Sequence, residues 1–130
     1  MPTRRPRNLP GTLQRSPEKA QRTYEETLES AERTYDGDEE RAHRAAWAAV
    51  KHSYERIGDH WEEKDERGPS DPRSRLGGER ARRGEGETFG GVDYEGHTKQ
   101  ELYERARGLG VRGRSRMTKA ELARAIARRQ

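Results

Sequence analysis

Cysteine is absent from the 130 residues, which removes disulfides, thiolate zinc sites, iron–sulfur ligation and cysteine nucleophiles together. Large apolar side chains are scarce. Leu, Ile, Val and Phe number 13, and alanine supplies 13 more of the 27% that is hydrophobic. One residue in ten is well below the roughly 20% at which composition begins to read as disordered. So little apolar area cannot offset the entropy of ordering a large fold, which excludes a single enzyme-sized core. Long apolar runs are missing too. The least polar stretch, residues 45–50, is six residues dominated by alanine, against the roughly 18 or more of a membrane span. Residues 1–8 are basic, but no apolar segment follows them as a secretory leader requires. The reading is a soluble, cytoplasmic protein without membrane insertion.

Charge is abundant, at 40% of the chain. Its partition says more than its net value of +4. Residues 1–67 hold 13 basic and 15 acidic side chains, residues 68–97 hold 5 and 6, and residues 98–130 hold 10 and 3. A polyanionic partner is therefore expected to meet the C-terminal piece, and a protein partner the nearly balanced N-terminal one.

The N-terminal module is placed at residues 8–64. Ser16-Pro17-Glu18 reads as a helix start with a hydroxyl N-cap and proline at the first helical position. Ala20, Tyr24, Leu28, Ala31 and Tyr35 then recur at three- and four-residue spacing on one helix face, with Gly37 as the stop. Asp38 is the expected cap of a second helix carrying Ala42, Ala46, Trp47, Ala49, Val50, Tyr54 and Ile57 and ending at Gly58. Leu9-Pro10 and Leu13 are expected to fold back over this small core, with the aromatics supplying most of its area.

These residues resemble a known family. Leu9-Pro10, Ala20-Gln21, Tyr24, Ala31, Tyr35 and above all the run from Ala45 to His52 with Tyr54 and Trp61 resemble the ChaB family of small bacterial proteins. The resemblance implies a regulatory module, described for the family as a cation transport regulator associated with a cation/proton antiporter. It brings no catalytic residues.

Metal chemistry finds little support. Asp36, Asp38, Glu39 and Glu40 supply only a fragment of the oxygen set that a calcium loop needs. His43 and His52, nine residues apart, point to opposite sides of one helix. His60 and His97 lack a spaced partner, so all four read as surface histidines. No catalytic, metal or cofactor residue is assigned, and the chain is expected not to be an enzyme.

Residues 65–97 are rich in glycine and arginine and show neither helical nor strand period. A disordered, flexible tether is expected there. Phe89, Val92 and Tyr94, near its end, are expected to pack onto the next module.

Residues 98–130 contain two capping boxes, Thr98-Lys99-Gln100-Glu101 and Thr118-Lys119-Ala120-Glu121. In each, the threonine hydroxyl and the glutamate carboxylate satisfy one another's backbone N–H, which writes two helix starts chemically. Leu102, Ala106, Leu109, Val111, Met117, Leu122, Ala125 and Ile126 supply a small core, and the first helix is expected to end at Gly108. The result is helix, extended loop, helix. The pattern resembles the N-terminal domain of the transcription termination factor Rho and the related SAP domain, which implies DNA or RNA binding. The matching residues are Arg112, Arg114, Arg116, Lys119 and Lys99, whose charges sit beside helix amides suited to phosphate.

The expected architecture is thus all-α, two small helical modules joined by a disordered linker. The expected function is a non-enzymatic adaptor that binds nucleic acid through its C-terminal module. The alternative is regulation of a cation/proton antiporter through the ChaB-like module.

Overall fold

Helical segments dominate wherever the sequence repeats at three and four residues. The computed structural model describes residues 9–76, 80 and 86–130. Among these, the chain forms α1 (Gly11–Gln14), α2 (Glu18–Thr34), α3 (Glu39–Ser53), strands β1 (Tyr54–Ile57) and β2 (His60–Glu63), α4 (Pro72–Leu76), α5 (Lys99–Gly108) and α6 (Lys119–Arg129), with a 3₁₀ turn at Arg114–Arg116. None of these helices is long and apolar enough to cross a membrane.

Helices α2 and α3 pair through the expected faces. Ala20, Tyr24, Leu28 and Ala31 of the first and Ala42, Ala46 and Val50 of the second are buried. Gly37, at φ +81°, makes the turn between them, and the Asp38 carboxylate accepts from the Arg41 amide at 3.1 Å, capping α3. Leu13 is fully buried in this core and Leu9 packs against it, so the N-terminal segment folds back as its apolar residues require.

Two local expectations are corrected. Ser16 does not cap α2, whose N-cap is Pro17 without a side-chain bond. Its hydroxyl instead donates to the Thr12 carbonyl at 2.6 Å and accepts from the Trp61 amide at 2.8 Å, while the Trp61 indole donates to Thr12 Oγ1 at 3.1 Å. Nor does the second helix reach Gly58. It stops at Ser53, Tyr54 turns to extended backbone, and an antiparallel hairpin pairs Tyr54 with Glu63 and Ile57 with His60. The fold is therefore helical with a small two-stranded sheet. The aromatic and β-branched residues Tyr54, Ile57 and Trp61 suit strands, and Gly58 at φ +65° suits the first position of a two-residue hairpin loop.

The second core gathers Phe89, Val92, Leu102, Ala106, Val111, Leu122, Ala123, Ala125 and Ile126. Both capping boxes form. Thr98 and Glu101 exchange bonds of 3.1 and 2.9 Å, and Thr118 and Glu121 exchange bonds of 3.1 and 3.0 Å.

The expected flexible tether gives way to order wherever residues 65–97 are described; the same expectation for residues 77–79 and 81–85 lies outside the described residues. Asp71 caps α4 by accepting from the Ser74 amide at 2.9 Å, with Pro72 at the first helical position. Ser70 and Asp71 are both fully buried. The Ser70 hydroxyl donates to the Lys51 carbonyl at 3.0 Å, and the Ser70 carbonyl accepts from the Glu95 amide at 2.8 Å. Further along, the Arg56 amide donates to the Gly91 carbonyl at 3.0 Å, and the Gly58 amide to Gln130 Oε1 at 3.0 Å. The two cores are docked on one another through these contacts. Gly91 is required by that docking, because at φ +90° a Cβ there would lie 2.5 Å from the Trp61 ring and 2.7 Å from Arg56 Cβ.

Trp61 is 3% exposed, whereas Trp47 is only half-buried against the core. Trp61→Ala is therefore expected to cost about 3–5 kcal/mol, as truncation of a buried aromatic does, and Trp47→Ala distinctly less. Urea unfolding followed by circular dichroism checks the order of the two, and an equal loss would contradict the deeper burial of Trp61 as the source of the difference.

Candidate functional site

The docking of the two cores centres on one buried carboxylate. Glu55 lies on β1, is 8% exposed, and would lose hydration without compensation if left alone. Both its oxygens are engaged. Arg105 of α5 donates to them from two nitrogens, at 3.1 Å each, and His97 Nε2 lies 2.7 and 3.0 Å away. The Asp93 amide donates to the same carboxylate at 3.1 Å. Beside this group Lys64 Nζ stands 3.5 Å from Asp93 Oδ1, both side chains buried, and the Gly96 amide donates to the same Asp93 oxygen at 3.0 Å.

The electrostatics follow from the geometry. Burial alone would push the Glu55 carboxyl up, but hydrogen bonds from His97 and Arg105, with the Arg105 charge, bring it down to about 2. The hydrogen bond to Glu55 holds the His97 imidazolium above its ordinary range, against burial and the Arg105 charge. Burial lowers Lys64, and the Asp93 carboxylate opposes that.

Among the described residues, Glu55, Asp93 and His97 are the cluster with metal-ligand types close enough to share an ion, their donor atoms lying within 4.8 Å of one another. The residues around them argue against a metal. Arg105 occupies both Glu55 oxygens and Lys64 faces Asp93, so two carboxylates already meet two fixed cations. A divalent ion would have to displace the guanidinium and would be repelled by both cations. The arrangement is chemically an ion-pair clamp.

His97 is thus no ordinary surface histidine, contrary to the sequence expectation. Its carboxylate partner Glu55 lies 42 residues back, beyond the opposite end of the supposed tether, a separation that no local spacing rule detects. The other histidines stay peripheral: His43 Nδ1 meets the Tyr24 hydroxyl at 2.8 Å, and His60 sits between Asp59 and Glu62. The acidic turn at residues 36–40 places Asp38 as a helix cap.

Three of the five residues expected to bind nucleic acid, Arg112, Arg114 and Arg116, lie between α5 and α6. Arg112 and Arg116 are exposed on the loop between α5 and α6. Arg114 is half-buried, donating to the Val111 carbonyl at 3.0 Å with its guanidinium 5.4 Å from the Tyr103 ring centre. Lys119 lies 4.6 Å over the Tyr94 ring, at the first turn of α6. Lys99 begins α5, and the loop that carries the arginines leaves the far end of that helix, roughly 14 Å along the axis. Arg129 was not anticipated. Its guanidinium reaches the Gly110 carbonyl at 3.5 Å, which brings the end of α6 to the loop.

The clamp predicts a two-sided pH dependence. The depressed Glu55 contributes stability that is present above about 4.5 and is lost as pH falls from there toward about 2. The raised His97 contributes stability that is present below about 6.5 and is lost as pH rises through its raised value. The urea midpoint is therefore expected to be highest between these limits. Glu55→Gln should lower stability by about 3–5 kcal/mol, as breaking one side of a buried pair does, and His97→Gln should flatten the alkaline fall. Midpoints measured from pH 3 to 9 check both.

Residues 9–64 match the family model ChaB, less than half of the chain, and the match ends where the hairpin ends. No curated protein and no solved structure matches the chain. The N-terminal segment, comprising the two-helix bundle and its hairpin, is accordingly the part of the chain that is similar to the ChaB family.

Proposed function

We propose that the protein is a non-catalytic regulatory binding protein that grips the phosphates of DNA or RNA with the basic loop of its C-terminal module. In this reading the ChaB bundle carries that module on the Glu55 clamp and meets a protein partner. One contrast supports it. Arg105 and Arg124 are turned to carboxylates, Glu55 and Glu87, whereas Arg112, Arg116 and Arg128 of the same module are exposed and have no acidic partner among the described residues. Cations held away from acids are available for phosphate. The helix, extended loop, helix arrangement set by two capping boxes fits a module of the Rho N-terminal or SAP kind. Arginines beside glycine suit backbone contact more than base readout, so modest sequence preference is expected.

The second reading rests on the family match, since ChaB suggests a cation transport regulator. In that reading the bundle meets an antiporter, and the basic module meets its acidic loops or anionic lipid.

Salt titration of binding to duplex DNA, single-stranded DNA and RNA tests the first reading. About five phosphate contacts give a slope of log K against log salt near −4 on duplex. Replacing Arg112, Arg116 and Arg128 by alanine is expected to weaken binding to all sequences alike and to reduce that slope by roughly 3. Stability should hardly move, because exposed arginines contribute little to it. Failure of the full chain to bind any of the three polymers, together with altered cation/proton exchange in membrane vesicles, would favour the second reading over the first.

A further inference from the structure

A cleft of 580 Å³ opens between the ChaB bundle and the returning chain, walled by Trp47, Trp61, Lys51, His52, Arg56 and Arg75. That volume falls within the roughly 300–1,000 Å³ of small-molecule sites. No carboxylate side chain is among its described lining residues. Arg56 commits Nε to the Gly58 carbonyl at 3.0 Å, which leaves its two terminal nitrogens without a partner among the described residues. Lys51 is backed by Asp71 at 3.6 Å, and Arg75 touches the half-buried Glu95 at 3.4 Å. The indoles stand 5.2 Å apart between ring centres, and Trp47 is only half-buried, so a flat aromatic surface is offered beside fixed cations. Planar rings stack on indole faces, and guanidinium groups pair with phosphate oxygens in a fork geometry.

We propose that this cleft binds a free mononucleotide, its base against the Trp47 face and its phosphates toward Arg56 and Arg75. The site uses none of the loop arginines of the C-terminal module and stands apart from the polyanion reading. The segment around Gly91, docked on the hairpin with its carbonyl held by the Arg56 amide, forms part of its wall.

The chain contains two tryptophans, both in the cleft wall, so intrinsic fluorescence reports occupancy directly. Titration of the full chain with ADP is expected to quench that emission, with calorimetry giving the same affinity. Adenosine and pyrophosphate, each carrying half the chemistry, should bind about tenfold more weakly or worse. Arg75→Glu, an exposed change, should raise the Kd for ADP about tenfold with the urea midpoint unmoved, and Arg56→Gln should raise it by as much while the chain stays folded. Absence of quenching and heat at millimolar ADP would overturn the proposal, as would an ADP affinity indifferent to both substitutions. Pyrophosphate binding as tightly as ADP would remove the indoles from recognition and overturn the ligand class. Displacement of ADP by a 5′-phosphorylated oligonucleotide, lost in Arg56→Gln, would assign the cleft to a strand end and overturn the free ligand.

Discussion

A single carboxylate inside a protein is unfavourable unless something fixed and positive meets it, and Glu55 is that carboxylate here. Its position on the first strand of a hairpin is dictated locally, by the turn at Gly58 and the burial of Tyr54 and Trp61 around it. Its partners all come from the other end of the chain: the Asp93 amide, His97 and Arg105. The segment that matches the ChaB model cannot satisfy Glu55 by itself with the bonds seen here. The C-terminal module is therefore required by the N-terminal one at the level of a single side chain. The same logic applies in reverse to Lys64, whose ammonium donates to the Gly68 carbonyl at 2.8 Å and the Ser70 hydroxyl at 2.7 Å, facing Asp93. Apolar surface would dock the two cores in many registers, whereas a bidentate guanidinium pair accepts one. Ion pairs of this kind add little net stability but penalise wrong arrangements heavily.

Much of the local structure was legible because it is written in nearest neighbours along the chain. The α2 and α3 faces follow from three- and four-residue spacing, the Asp38 cap from residue type, and both capping boxes from a four-residue pattern that leaves little choice. The hairpin was missed because Tyr54, Glu55, Arg56 and Ile57 continue a helical apolar rhythm into Gly58. Only the side-chain shapes, aromatic and β-branched, separate strand from helix over four residues. Ser16 looked like a cap, and it became a staple because Trp61, 45 residues on, supplies a better donor.

The described part of the linker was misread for a deeper reason. Glycine in a sequence signals freedom, yet Gly91 serves close approach and Gly96 makes room for the Asp93 carboxylate, which would lie 2.0 Å from a Cβ. Composition cannot distinguish a glycine that lets the chain wander from one that lets two surfaces touch. Buried polar residues carry the same ambiguity. Ser70 and Asp71 read as solvated, but one ties the chain to Lys51 and the other caps a helix with no exposure at all. Of the candidate site, the loop arginines were legible as charge in excess, whereas the clamp was not, because its members are related only through the tertiary fold.

The docked arrangement sorts the arginines by task, and the sorting is the strongest physical statement the molecule makes about function. Arg105 is committed to holding the modules together, Arg56 lies at the seam where it shapes a cleft, and Arg112, Arg116 and Arg128 face water. With a flexible tether these groups would sample many relative positions, and any anion bound at one site would be indifferent to the other. With the seam closed by Glu55, Gly91 and Gln130, the cleft beside Trp47 and the basic loop beyond α5 belong to one scaffold. Gly91 belongs to cleft and seam alike, since it lines the cleft and its carbonyl accepts from the Arg56 amide at the seam. A chain with so few large apolar side chains has little area for a second interface, and a shared seam is the physical route by which two sites on such a scaffold would be coupled.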